Sequence, residues 1–172
     1  MFLNYLKNML TKKRVKKTLS DVDHAASDKK IRTVGIVFDE TYFYEKESLI
    51  AELVNNGINE DLIDILVFKN TIKKSERFDY PVFTHRDLSW RATFDKSEVR
   101  DFIAKEFDLL INYYDTEKSA LLIVSNLSSA TFKVGFASVD KKLNHFMINT
   151  NAENYKVFTE ELFKYLKILN KI

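Results

Sequence analysis

Asp39 and Glu40 close an apolar run, Ile31, Val34, Ile36, Val37 and Phe38, and Asp115 follows a second run, Leu109-Leu110-Ile111, with Asn112 at its end. Both runs read as core strands, and open α/β sheets bind ligands beyond the carboxyl ends of their strands. Asp39, Glu40, Asn112 and Asp115 are therefore the candidate ligand-binding residues for a small molecule. Acids at strand ends also serve as ordinary helix caps and turn residues, so the pattern alone assigns no catalytic residue. Tyr42, Phe43 and Tyr44 follow at once, and could stack on a base or sugar or lie as a flap over the core.

Other motifs lead nowhere chemically. His85-Arg86-Asp87-Leu88 matches the opening of a kinase catalytic loop, but the position that should hold Mg²⁺ through Asn is Ala92. No glycine-rich loop accompanies it, so the match is coincidental. Gly35, Gly57 and Gly135 lie far apart, and a phosphate cradle needs clustered glycines. His24, His85 and His145 share no ligand spacing and cysteine is absent, so neither a metal site nor a cofactor is expected.

Charge is more telling. Residues 1–33 hold Lys7, Lys12, Lys13, Arg14, Lys16, Lys17, Lys29, Lys30 and Arg32 against Asp21, Asp23 and Asp28, a balance of +6. The remaining 18 basic and 22 acidic side chains give −4, so the net +2 of the chain conceals a segregation. Residues 1–19 read as a helix with Phe2, Leu3, Leu6, Met9 and Leu10 on one side and the basic cluster beyond them. That apolar stripe is the candidate partner-docking surface, and Lys7, Lys12, Lys13, Arg14, Lys16 and Lys17 are the candidate nucleic-acid-binding residues. Residues 20–30 are a polar linker, and 31–172 the folded body.

The elements of the body follow from periodicity. Residues 107–136 read as strand, apolar helix and strand, the length of a βαβ crossover, with Asp115 or Thr116 available to cap the helix and Gly135 marking a close backbone approach or a strand end. Leu121 to Val124 could alternatively be a strand. A first strand covers 31–38, and an amphipathic helix over 45–56 ends at Gly57 as its left-handed cap. A second strand covers 63–68, a charged turn 71–77, and an edge strand 82–84 follows Pro81. Asp95 with Glu98, and Thr150 with Glu153, resemble capping boxes for two further helices, one through Lys105 and one carrying Tyr155, Phe158, Leu162, Leu166 and Leu169. Phe146 to Ile148 is a candidate last strand. The result is a single Rossmann-like, doubly wound α/β domain with a mostly parallel sheet, flanking helices and a basic N-terminal helix.

Composition fits that class. The 172 residues suffice for one filled core, 45% hydrophobic content excludes disorder, and one proline with three glycines disfavours a β-sandwich. No run approaches a membrane span, and the first apolar residues precede the basic cluster, unlike a signal peptide. A cytoplasmic location is expected.

Phe107-Asp108-Leu109-Leu110-Ile111, Lys118-Ser119-Ala120-Leu121-Leu122, Ser129-Ala130 and Lys133-Val134-Gly135-Phe136 resemble a segment in the N-terminal half of heptosyltransferase-like glycosyltransferases. The resemblance covers about 30 residues, mostly packing positions. It implies a Rossmann-like half-domain, here without the glycine-containing loop after the first strand and without room for the donor-binding second domain. Over its full length the chain resembles a small family of uncharacterised cytoplasmic proteins of Bacteroidota bacteria, through the basic N-terminal helix, the Phe-Asp-Leu-Leu-Ile and Phe-Lys-Val-Gly strands and the Leu-Asn-Lys-Ile ending. That likeness implies a fold and no mechanism.

The expected function is a non-enzymatic binding or adaptor protein whose basic helix docks on an anionic macromolecule, RNA or the ribosome foremost, without DNA sequence specificity. The alternatives are a small α/β enzyme, or degenerate glycosyltransferase-like half-domain, with a ligand at the strand C-termini, and a peripheral membrane or protein-complex subunit.

Overall fold

The computed structural model describes residues 16, 19–21 and 29–172. Six strands form one sheet: β1 (Val34–Asp39), β2 (Ile63–Phe68), β3 (Val82–Phe83), β4 (Leu109–Tyr113), β5 (Phe132–Phe136) and β6 (Phe146–Ile148). Their order is β3-β2-β1-β4-β5-β6 and every pair is parallel, so the sheet is wholly parallel where a mostly parallel one was expected. Four helices flank it: α1 (Lys46–Asn55), α2 (Ser97–Ala104), α3 (Ser119–Leu127) and α4 (Tyr155–Ile168).

Residues of β1 and β4 are buried without exception, because helices cover both faces. Successive side chains of a strand point to opposite faces. Tyr113 packs against Phe158 of α4, while Asn112 accepts a hydrogen bond from Ser125 of α3. Helices α1 and α4 therefore share one face, and α2 and α3 the other. The order places the topological switch between β1 and β4, where the chain leaves the two strands in opposite directions.

Local chemistry sets the boundaries. Strand β1 begins at Val34 rather than Ile31, because the Asp108 carboxylate takes the N–H groups of Arg32 (2.9 Å) and Thr33 (3.0 Å). The Ile31 N–H goes instead to the Lys171 carbonyl at 2.8 Å, tying the two ends of the body together. Helix α1 ends as its sequence suggests: Gly57 has φ +100°, its N–H reaches Val54 O, and the Ile58 N–H reaches Leu53 O. Those two bonds and the buried Leu53 and Ile58 make a Schellman cap.

Neither expected capping box forms. Lys96 is extended, so α2 starts at Ser97, and the carbonyls of Phe94 and Asp95 are taken by the Arg100 guanidinium. Helix α4 starts at Tyr155 after Asn154, without a side-chain cap. Helix α3 starts after Lys118, and Asp115 is occupied elsewhere. A reciprocal box does form at Thr84 and Asp87, around the single turn His85–Asp87. The segment with the kinase-like sequence is thus a capped turn.

Most of the expected N-terminal helix and part of the linker lie outside the described residues, including Phe2, Leu3, Leu6, Lys7, Met9, Leu10, Lys12, Lys13, Arg14 and Lys17. Lys16 has helical backbone, and Leu19 is buried in the core of the body. No helix among the described residues is long and apolar enough to cross a membrane.

Candidate functional site

The switch between β1 and β4 is where this fold would hold a ligand, and its rim is crowded with charge. Asp39, the last residue of β1, is buried. Its Oδ1 accepts the Thr41 N–H at 3.0 Å, and its Oδ2 accepts the Lys118 ammonium at 2.6 Å. The same ammonium donates to Thr41 Oγ1 at 2.7 Å and lies 4.8 Å from the Phe68 ring and 5.3 Å from that of Tyr42. The His85 ring meets Phe68 edge-on at 4.8 Å. Burial lowers the His85 pKa and the Lys118 charge lowers it further, with Asp39 acting in the opposite sense, so the imidazole is held neutral.

Glu40 organises a second cluster. Its carboxylate accepts Lys69 at 2.8 Å, lies 3.5 Å from the Lys46 ammonium, and accepts the Tyr80 hydroxyl at 3.4 Å. Burial pulls Lys46 down, but the pairing with Glu47, the contact with Tyr80 and the charge of Glu40 outweigh it, so its ammonium is held above the usual lysine range. The hydrogen bond to Glu40, set against burial, likewise raises Lys69. Both acids expected at this rim are therefore present, paired and largely buried.

The other two expected residues serve the scaffold. Asn112 is 1% exposed: its Nδ2 donates to Asn144 Oδ1 at 2.8 Å, and its Oδ1 accepts Ser125 Oγ at 2.7 Å. Since the Ser125 proton goes to Asn112, the Tyr114 hydroxyl donates to Ser125 at 2.6 Å. Asn112 is thus a buried network member, not a group facing a ligand. Asp115 Oδ2 accepts the Ala152 N–H at 3.0 Å and its carbonyl accepts Ser138 Oγ at 2.8 Å, tying the end of β4 to two neighbouring loops.

In place of glycines, the loop after β1 carries Phe43, buried against Phe38, Tyr113 and Tyr155 at 5.6, 5.3 and 6.1 Å. Tyr42 and Tyr44 on either side of it are exposed. The aromatic cluster therefore divides, with Phe43 as the flap and its neighbours on the surface. Lys16, from the basic run, pairs with Glu117 at 2.7 Å and approaches Asp140 at 3.8 Å, which sets the end of the arm against the loops beyond β4 and β5.

A groove of about 610 Å³ lies at the opposite end of the sheet, lined by Ile63, Ile65, Pro81, Phe102 and Phe107 with Asp64, Asp79, Glu98 and Asp101 at its edge. Asp64 is paired there with Lys105. Among the described residues no group of three or more His, Cys, Asp or Glu is placed to hold a metal ion.

Lys118 and His85 were not foreseen as neighbours. The signal for Lys118 was its place just after the β4 turn, but its partner Asp39 is 79 positions away. No curated protein and no solved structure matches the chain. A family model described as a family of unknown function (DUF6913) matches residues 7–169, and the chain belongs to that family.

Proposed function

We propose that the protein is a non-enzymatic binding protein of the cytoplasm whose basic N-terminal segment docks on an anionic macromolecule, RNA and the ribosome foremost. The segregation of charge carries this reading: +6 over residues 1–33 against −4 over the rest. The buried Phe43 stands on the loop after β1 where a phosphate-binding loop would carry glycines, which favours a platform over a small-ligand site. Lys16 of the basic run keeps 38% of its side chain exposed while it pairs with Glu117 and approaches Asp140. Arg14 is the only guanidinium in a lysine run, which favours contacts with phosphates over contacts with bases.

Changing Lys12, Lys13, Lys16 and Lys17 together to Glu is expected to abolish retention on heparin and co-sedimentation with ribosomes. Unchanged sedimentation would retire the proposal. A second reading, a small-ligand site, draws on the meeting of Lys118, Asp39, Thr41 and His85 at the switch point. Shifts of the His85 ring resonances on titration with a nucleoside diphosphate would favour it, and still resonances would dismiss it.

A further inference from the structure

Tyr42, Tyr44 and Trp90 are 72%, 66% and 83% exposed, and all three sit on loops that leave the carboxyl ends of strands, β1 for the tyrosines and β3 for the tryptophan. We propose that this rim is a stacking platform for unpaired RNA, with Tyr42, Tyr44 and Trp90 receiving bases and the exposed Arg86 and Arg91 meeting phosphates. The inference rests on the RNA reading above and adds which form of RNA is bound and where.

Five features point to it. The rings are held in place: the Tyr44 hydroxyl donates to the Thr41 carbonyl at 3.1 Å, and the Lys118 ammonium sits over the Tyr42 ring. The Trp90 loop is a closed hairpin tip, with the Ser89 N–H on Thr93 O at 2.8 Å, the two hydroxyls 2.7 Å apart, and Leu88 bridged to Phe94. Ala92 takes φ +60° to close that tip. Rings fixed in advance lose little freedom on binding.

The two loops are joined underneath, because Phe68 touches both Lys118, below Tyr42, and His85, at the base of the Trp90 loop. Four acids of the rim are already answered: Asp39 by Lys118, Glu40 by Lys46 and Lys69, Glu117 by Lys16, and Asp87 by the Thr84 N–H and hydroxyl. The Arg91 guanidinium lies over one face of the Trp90 ring at 4.8 Å, so a base would stack on the other face with a cation behind it. Finally, Lys16 pairs with Glu117, next in the chain to Lys118, which brings this residue of the basic run to the same rim. Aromatic rings beside cations bind single strands with little regard to sequence, since every unpaired base offers a face that a duplex hides.

Trp90 is the only tryptophan, so its emission reports directly on the platform. The full-length protein is titrated with an oligouridylate of about 12 nucleotides, and with the same strand annealed to its complement. The single strand is expected to quench Trp90 and to bind more tightly than the duplex. Trp90→Ala, or Tyr42→Ala with Tyr44→Ala, is expected to weaken that binding by about tenfold or more, read by anisotropy of labelled RNA, while Trp90→Phe retains it. Equal affinity for duplex and single strand, absent quenching, or unaffected alanine variants would overturn the platform while loss of binding in the Lys→Glu arm variant still upheld the RNA reading. Absence of binding to either RNA would overturn both.

Discussion

Lys133 lies in β5 with 7% of its surface exposed, and its ammonium has the Ser125 carbonyl as acceptor at 2.8 Å. Burial alone lowers its pKa from 10.5 to about 8. That displacement corresponds to about 3 kcal/mol of folding free energy withheld while the side chain is charged. Lys133→Met removes the buried charge and keeps the volume, but leaves the Ser125 carbonyl without its lysine donor, which costs about 1 kcal/mol. At pH 7 the variant should therefore be more stable by about 2 kcal/mol. Because the folded pKa is depressed, the unfolded chain holds the extra proton between about pH 8 and 10.5, and the wild-type protein gains stability as pH rises through that window. Above it the penalty is gone and the variant should be the weaker by about 1 kcal/mol. Urea denaturation followed by far-ultraviolet circular dichroism at both ends of the window measures the difference. A difference that does not change with pH would refute the assignment of a desolvation cost to Lys133.

At Gly135 a Cβ would stand 2.7 Å from the buried Asn144 side chain, so Gly135→Ala should cost about 1–3 kcal/mol in urea denaturation by forcing that amide off Asn112. Gly57→Ala places a side chain at φ +100° with open space around it, so its cost should be the backbone strain alone, about 1 kcal/mol by the same assay. Burial of Asp108 raises its carboxyl, but Lys29 and the Thr33 and Arg32 donors prevail and bring it down to about 2. Its contribution to stability is present above the usual value of 3.8 and lost as pH falls through about 2, and a thermal-melt series in acid should show this segment of the loss diminished in Asp108→Asn.

How far the chain could be read in advance follows from where each signal resides. The unbroken Leu109-Leu110-Ile111 run could only be a strand covered on both faces, and Gly57 could only end a helix, because each effect is local. The contiguous apolar residues of α3 required burial, and the helix they form is buried from Ser119 to Ser125. Asn112 misled because its partners, Ser125 and Asn144, come from other elements, and an amide looks the same whether it meets a ligand or a neighbour. The two capping boxes failed because each helix begins later than its motif, after Lys96 and after Asn154, neither of which caps it with its side chain. Asp39 and Glu40 were found at the strand end as expected, but the lysines that neutralise them, Lys118, Lys46 and Lys69, lie 79, 6 and 29 positions on, and only folding gathers them. That Phe43 rather than Tyr42 or Tyr44 would be the buried ring depended on which of three consecutive rings faced Tyr113.

The central claim is that the lysine segment grips RNA through its phosphates. It is tested most directly by measuring the affinity of the full-length chain for RNA across a salt series, beside the Lys12, Lys13, Lys16 and Lys17 to Glu variant. The account predicts a log–log slope of about −0.7 to −0.9 for each phosphate engaged, shallower in the variant by several contacts. Superimposable slopes, or tight binding that ignores salt, would contradict it.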